Sequence, residues 1–372
     1  MNRLIIIGNG FDLAHGKKTD YKSFIFWYIK KCLVEAFNNP NGSYKDDLLF
    51  VNTLLPNARF EGFGNGIKDI ESYIDIMSPD KILVPEFVDN GYNSLKVFET
   101  QIKSHLFNKL IINCFDKNWV DIENEYYSIL VDFARIAGKQ GSSQYSILGD
   151  LKKLNSDLGL IIKELENYLI EINNDEIIDE YFEIFDPKNQ TATFTHVLNF
   201  NYTNTPEKYF TSQKKNQNGG WISFNHNYIH GKIEDKTNRL IFGFGDEFDK
   251  EYVNLEELKI NEFFTFVKSF WYLKTPNYQN LAEFLKGGEY QIYILGHSCG
   301  LSDRTLLNMV FEHPFCTKIK IFYHGEKEGS NNYTDLTHNI SRHFKDKASM
   351  RLKIVNFQDS QPMPQFRSKV EK

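Results

Sequence analysis

The chain has only four cysteines among 372 residues, and Cys32, Cys114, Cys299 and Cys316 include no Cys-x-x-Cys pair. A zinc ribbon and a disulfide scaffold both need more thiols at closer spacing, so reduced thiols and a cytoplasmic location are expected. Long apolar runs are also missing. The longest early one, Phe24–Ile29, stops at Lys30 and Lys31, far below the roughly 18 residues that a membrane span requires. Strand-like sequence begins at Leu4 with no basic leader or cleavage site before it, so no signal peptide is expected. Positive charge is not in excess: 43 Lys and Arg face 49 Asp and Glu, a net charge of −6. That balance argues against a nucleic-acid partner held by phosphate neutralisation. No cluster of ligating side chains suggests a metal. What is abundant is aromatic: 32 Phe, 20 Tyr and 4 Trp make up 15% of the chain. A disordered chain lacks that load. The length allows about two domains with a large core.

The first element, Arg3–Ile7, is a continuous apolar run rich in β-branched residues, the habit of a strand buried on both faces of a parallel sheet. A stretch dominated by helical patterns follows. Tyr21–Phe37 reads as a helix capped by Thr19 or Asp20. Trp119, Ile122, Tyr126, Ile129 and Phe133 form an amphipathic stripe. Leu151, Leu158, Leu165 and Ile172 recur every seven residues beside Leu154, Ile161 and Tyr168, a seam to be covered by neighbouring helices or by a second copy. Residues 40–66 are rich in Asn and Gly and read as loop. From about residue 190, strand-like runs appear at Thr193–Phe200, Tyr228–His230, Leu240–Phe242, Gln291–Leu295, Lys318–Tyr323 and Leu352–Phe357. Helical patterns at Asp303–Phe311 and Tyr333–Phe344 separate some of them, which implies an α/β layered domain. The expected architecture is a Rossmann-type parallel sheet from residues 1–20 and 190–360. A large all-helical insertion, 21–189, would follow its first βα turn, and 361–372 would be a flexible tail.

Several turns could carry chemistry. Gly8-Asn9-Gly10-Phe11-Asp12 follows the first strand, where glycines let backbone amides approach a phosphate. It departs from the dehydrogenase fingerprint, whose third glycine is replaced by Leu13, and a plain tight turn accounts for it equally. Asp12 would repel a phosphate there, so it caps the backbone or holds ribose hydroxyls. Asn199-Phe200-Asn201-Tyr202-Thr203 lies where the second strand of the sheet should end; it can bind a ligand or bond its own backbone. His230-Gly231 ends the next strand and offers an imidazole suited to general-base work near neutrality. Gly296-His297-Ser298-Cys299-Gly300 matches the hydrolase nucleophile elbow, with Asp335 and His338 following in order. Only two strand-like runs remain after it, however, and Asp335 and His338 share one helix. The competing reading has Ser298 and nearby amides contacting a dinucleotide, with Asp303 opening the next helix.

Taken together these blocks resemble the AbiH family, the bacterial family named for abortive infection by phage. The resemblance is carried by residues 4–16, Asn199–Thr205, Ile229–Gly231, Ile241–Asp246 and Gly296–Asp303, with Trp119–Glu123 as a further feature. More remotely, the blocks are similar to sirtuin-like NAD-consuming domains. That similarity implies a sirtuin-like fold, with Asn201 as the motif Asn, His230 as the catalytic His, and Gly8, Gly10 and Ser298 as nucleotide contacts. Asn9, Phe11, Asp12, Tyr202, Thr203, Gly296 and Asp303 are the accompanying cofactor-binding candidates. The sequence departs from sirtuins at Thr203, where they have an acid, and at Asn9, and it lacks their four-cysteine zinc module. The resemblance implies an anti-phage NAD hydrolase that releases nicotinamide, with NAD as substrate, no prosthetic group, a phage-derived trigger, and possible self-association through the insertion. A nucleotide sensor without turnover and a serine hydrolase are the alternatives.

Overall fold

The computed structural model describes residues 2–54, 67–78, 82–83, 97–116, 121–138, 144–172, 176–185, 194–209 and 223–366. Trp119, residues 55–66 of the expected loop, the 187–193 junction and the end of the tail lie outside them. Among the described residues the strands are β1 (Asn2–Ile7), β2 (Ser43–Lys45), β3 (Leu49–Thr53), β4 (Phe98–Ile102), β5 (Phe194–Asn199), β6 (Ser223–Tyr228), β7 (Tyr290–Leu295), β8 (Cys316–Tyr323) and β9 (Gln361–Pro362). The chain divides into two compact units. One takes Met1–Thr19 and Leu169–Lys372, the other Asp20–Tyr168.

The first unit is built on a six-stranded sheet of order β6-β5-β1-β7-β8-β9, with every pairing parallel. Counted within this sheet, the order is the doubly wound 3-2-1-4-5-6, whose switch point falls between the first and fourth strands, here β1 and β7. The continuous apolar character of β1 follows from its place. Leu4 and Ile6 face one core with Leu198, Ile292, Ile294, Leu306 and Val310. Ile5 and Ile7 face the other with Phe11, Val197, Tyr181, Phe185 and Tyr209. Each such side chain taken from water contributes about 1.5–3 kcal/mol.

Several expectations are corrected. Leu240–Phe242 is buried but unpaired as a strand; Ile241 N donates to His230 O at 2.7 Å, and the segment is apolar because it is covered. Leu352 lies in the last turn of the helix Lys347–Lys353 and is 85% exposed, and Ile354 makes only a single bridge to Ile319. The edge place is taken instead by β9, from the segment expected to be a flexible tail: Met363 is buried and its N–H donates to Tyr323 O at 2.7 Å. A proline suits that edge position, where no donor is needed. Residues 169–185 also belong to this unit, because Ile178, Tyr181 and Phe185 fill the core beside Phe11.

The second unit is not all helical. β2, β3 and β4 form an antiparallel sheet within it. Its first turn is made by Asp46, whose Oδ1 accepts from Leu48 N and Leu49 N, both at 2.8 Å. Leu49, Val51 and Thr53 are buried and Phe50 and Asn52 less so, a period-two signal masked by the Asn/Gly-rich surroundings. The helix Tyr21–Asn38 is capped by Asp20, which accepts from Ser23 N at 2.8 Å. In the helix Gln144–Glu171 the seam residues Leu151, Leu154, Leu158, Ile161, Leu165 and Tyr168 are all buried within the one chain. Ile172, the last residue of the series, lies just past the helix and is half-buried, and the seam is otherwise covered. Leu158→Asp with Leu165→Asp would put two unpaired charges there, and is expected to unfold this unit, read as rapid proteolysis between residues 20 and 168. Native protection would mean the seam faces water.

Candidate functional site

The glycines of the first turn answer a close approach by the chain itself. A Cβ on Gly8 would stand 2.6 Å from His297 Cα, and one on Gly10 2.8 Å from Gly296 O. Gly296 in turn has φ +69°, and a Cβ there would meet Phe11 N at 2.2 Å. The turns after β1 and β7 thus lie against each other at the switch point. Gly8 N donates to Leu295 O at 3.1 Å, Gly10 N to Gly296 O at 2.8 Å and Phe11 N to Gly8 O at 2.9 Å. These three amides are spent inside the chain. Phe11 is fully buried against His15 and Tyr181, with ring centroids 4.6 and 4.7 Å away. Asn9 is exposed, and its Oδ1 accepts from Thr19.

Asp12 and the turn after β5 form a buried polar group. Thr203 Oγ1 donates to Asp12 Oδ2 at 2.6 Å and lies 3.3 Å from Thr205 Oγ1. Asn201 Nδ2 donates to Gly8 O at 3.1 Å, and its N–H donates to Asn199 Oδ1 at 2.9 Å. Burial raises the Asp12 pKa against the opposing hydrogen bond from Thr203. Tyr202 ties the turn to the segment after β6 through its hydroxyl, which donates to Ile241 O at 3.2 Å.

The second group is charged. His230, just beyond β6, places Nε2 3.0 Å from Tyr272 Oη and 3.2 Å from Asp303 Oδ1. Lys268, with no exposed surface, donates to that same carboxylate oxygen at 2.7 Å. His297 Nε2 lies 3.7 Å from Asp303 Oδ2, and its Nδ1 accepts from Cys299 N at 2.9 Å. Phe200 packs edge-on against both imidazoles, 4.9 and 4.2 Å between centroids. Burial works against the Asp303 carboxylate, but Lys268 and then His230 outweigh it and hold its pKa well below the ordinary range. Burial lowers the His230 pKa, reinforced by Lys268 and opposed by Asp303. Near neutrality the imidazole is an uncharged base. Among the described residues no group of His, Cys, Asp or Glu is arranged to hold a metal, and Lys268 already supplies the cation at Asp303.

The fold brings the sequence candidates Asp12, Asn201 and Thr203 into the first group and His230 and Asp303 into the second, where sequence reasoning did not single out Lys268, Tyr272 or His297. One signal was present: Lys268 is the lone cation in the aromatic run Phe263–Tyr272. Ser298, Asp335 and His338 are all exposed. Among the described residues no hydrogen bond joins them; Ser298 O accepts from Asn339 Nδ2 at 2.9 Å. The geometry of a hydrolase triad is therefore not formed.

Buried histidines give the sheet unit a definite response to acid. Burial lowers His15, His196, His226 and His297 from 6.5 to about 4. Between these values the unfolded chain binds the protons first. Stability is therefore present above pH 6.5 and lost as pH falls toward 4, by about 1.4 kcal/mol per pH unit for each group. Burial also lowers His230, His313 and His343, while Asp12 and Asp246, raised by burial, oppose the loss. Urea unfolding at pH 7.5 and pH 5 should show a clear loss at the lower pH; equal midpoints would refute the argument.

The sheet order and the turns gathered at its carboxyl edge define a doubly wound α/β protein of Rossmann type, with a buried Lys–Asp–His group at that edge. The family described as "Bacteriophage abortive infection AbiH" matches residues 4–324, and the chain belongs to it. None of the curated proteins matches the chain. Family membership supports a role in abortive infection, a defence against phage. Among the described residues no helix is long and apolar enough to cross a membrane.

Proposed function

We propose that the chain acts in phage defence by hydrolysing NAD. The observation that carries this reading is His230, a buried imidazole kept neutral at the carboxyl edge of a doubly wound sheet. Ligands of such sheets bind beyond the carboxyl ends of the strands, and Asn201 stands at the end of the neighbouring strand, β5.

The reaction asks little of the protein. The bond from the ribose anomeric carbon to the pyridinium nitrogen breaks, and its electron pair leaves with the ring, so nicotinamide departs neutral without a general acid. A water oxygen bonds to the anomeric carbon, its proton passes to His230, and ADP-ribose is the other product. The transition state is oxocarbenium-like, as in glycoside hydrolysis. Orientation of ribose and water in a polar, preorganised site is what accelerates it. Asn201, whose Nδ2 is held by Gly8 O, would direct its side-chain oxygen to a ribose hydroxyl or the water. With the Gly8, Gly10 and Phe11 amides spent, the dinucleotide would be held mainly by side chains and by the loop after β7. Lys268 and Asp303 serve each other rather than the ligand.

The test is incubation of the purified protein with NAD, following free nicotinamide and ADP-ribose. Equal accumulation of both supports hydrolysis. Binding of NAD without either product favours the second reading, a nucleotide sensor, to which Thr203 points because its hydroxyl is committed to Asp12.

A further inference from the structure

The group around Asp303 also bears on which atom of His230 can take a proton. The Nε2 of His230 lies 3.2 Å from a carboxylate oxygen that Lys268 Nζ approaches to 2.7 Å. A lone pair on Nε2 so close to that oxygen would be repelled by its negative charge; an N–H there is attracted by it while bonding the Tyr272 hydroxyl. Lys268 keeps the oxygen a carboxylate, so its negative charge favours the imidazole hydrogen on Nε2 without the oxygen becoming an acid itself. The Tyr272 hydroxyl, 3.0 Å from the same nitrogen, can donate or accept and so follows the tautomer instead of setting it. His297 repeats the pattern. Its Nδ1 is occupied as an acceptor by Cys299 N–H at 2.9 Å, so its own hydrogen is on Nε2, facing Asp303 Oδ2 at 3.7 Å.

We propose that Asp303 is a positioning residue that fixes His230 with its hydrogen on Nε2 and leaves Nδ1 as the basic atom. Lys268 and Asp303 are the charged groups facing His230, and Tyr272 and His297 the neutral titratable ones. The set carries one positive charge, one negative charge and two neutral imidazoles, which lets it stay buried without net charge. Nδ1 of His230 takes no hydrogen bond from the described residues. In catalysis the water would approach that nitrogen, a step that rests on the hydrolase reading above. The tautomer itself does not.

The experiment is nitrogen NMR of the full chain labelled with ¹⁵N-histidine at pH 7.5, the His230 signals assigned by their loss in His230→Gln. The expected result is a protonated Nε2 and an unprotonated Nδ1 in one tautomer. Tyr272→Phe, which removes only a hydroxyl, should leave that pattern unchanged. Lys268→Met with Asp303→Leu, which removes both charges together, should let the two tautomers mix. A hydrogen on Nδ1 in the native chain, a reversal in Tyr272→Phe, or an unaltered single tautomer in the double variant would each overturn the proposal. Nicotinamide release is measured on the same samples. The stated tautomer without release removes the reaction and keeps the positioning role; release with the other tautomer does the reverse.

Discussion

Lys268→Met is expected to destabilise the sheet unit by about 3–5 kcal/mol, the usual cost of leaving one partner of a buried ion pair behind. Lys268 has no exposed surface and Asp303 is 7% exposed, so no solvent waits to take up the remaining charge. The carboxylate would then have to gain a proton or draw one onto His230 or His297, both of which burial keeps neutral. Either response costs free energy near neutral pH and less in acid, so the deficit should shrink as pH falls. The double variant Lys268→Met with Asp303→Leu should recover most of the loss, because an apolar pair of similar volume carries no charge to desolvate. Urea unfolding at pH 7.5 measures both. A single variant within 1 kcal/mol of the native chain would mean that the pair is not buried as found.

His230→Ala is expected to lower nicotinamide release by roughly 10²–10⁴-fold, the contribution of a positioned general base. The fold should survive. His230 enters the group uncharged, and Lys268 still neutralises Asp303 at 2.7 Å in its absence, so no bare charge is left. That contrast separates the two substitutions. The first strikes stability through an orphaned carboxylate; the second strikes turnover and leaves the unfolding free energy within about 1–2 kcal/mol of native, the scale of one lost hydrogen bond. A folded His230→Ala that releases nicotinamide at the native rate would remove His230 from the reaction.

Both predictions depend on residues that enter the fold at different levels. His230 was legible because its glycine neighbour and strand-end position are local features of the sequence. Lys268 was not. It acquires its meaning from Asp303, 35 residues away, and nothing in its own surroundings except an aromatic run marks it as buried. His297 likewise sat inside a motif read for its serine, while the fold commits the imidazole to Cys299 N–H and turns it toward Asp303.

The sequence by itself determined the apolar strands β1 and β7, a cap at Thr19 or Asp20 for the helix that follows, the heptad seam, and the family blocks at the strand ends. Each is written within a few residues, because burial on one face or both imposes a short period and a cap needs only its own turn. Tertiary structure alone decided the 3-2-1-4-5-6 order of the main sheet, the antiparallel sheet of the second unit and the edge strand β9. It also decided that Gly8 and Gly10 make room for Gly296 and His297, and that Asp303 belongs to Lys268 and His230. These depend on which strand ends meet in space. That is fixed by burying both faces of a twisted sheet at once, and no local stretch of the chain encodes it.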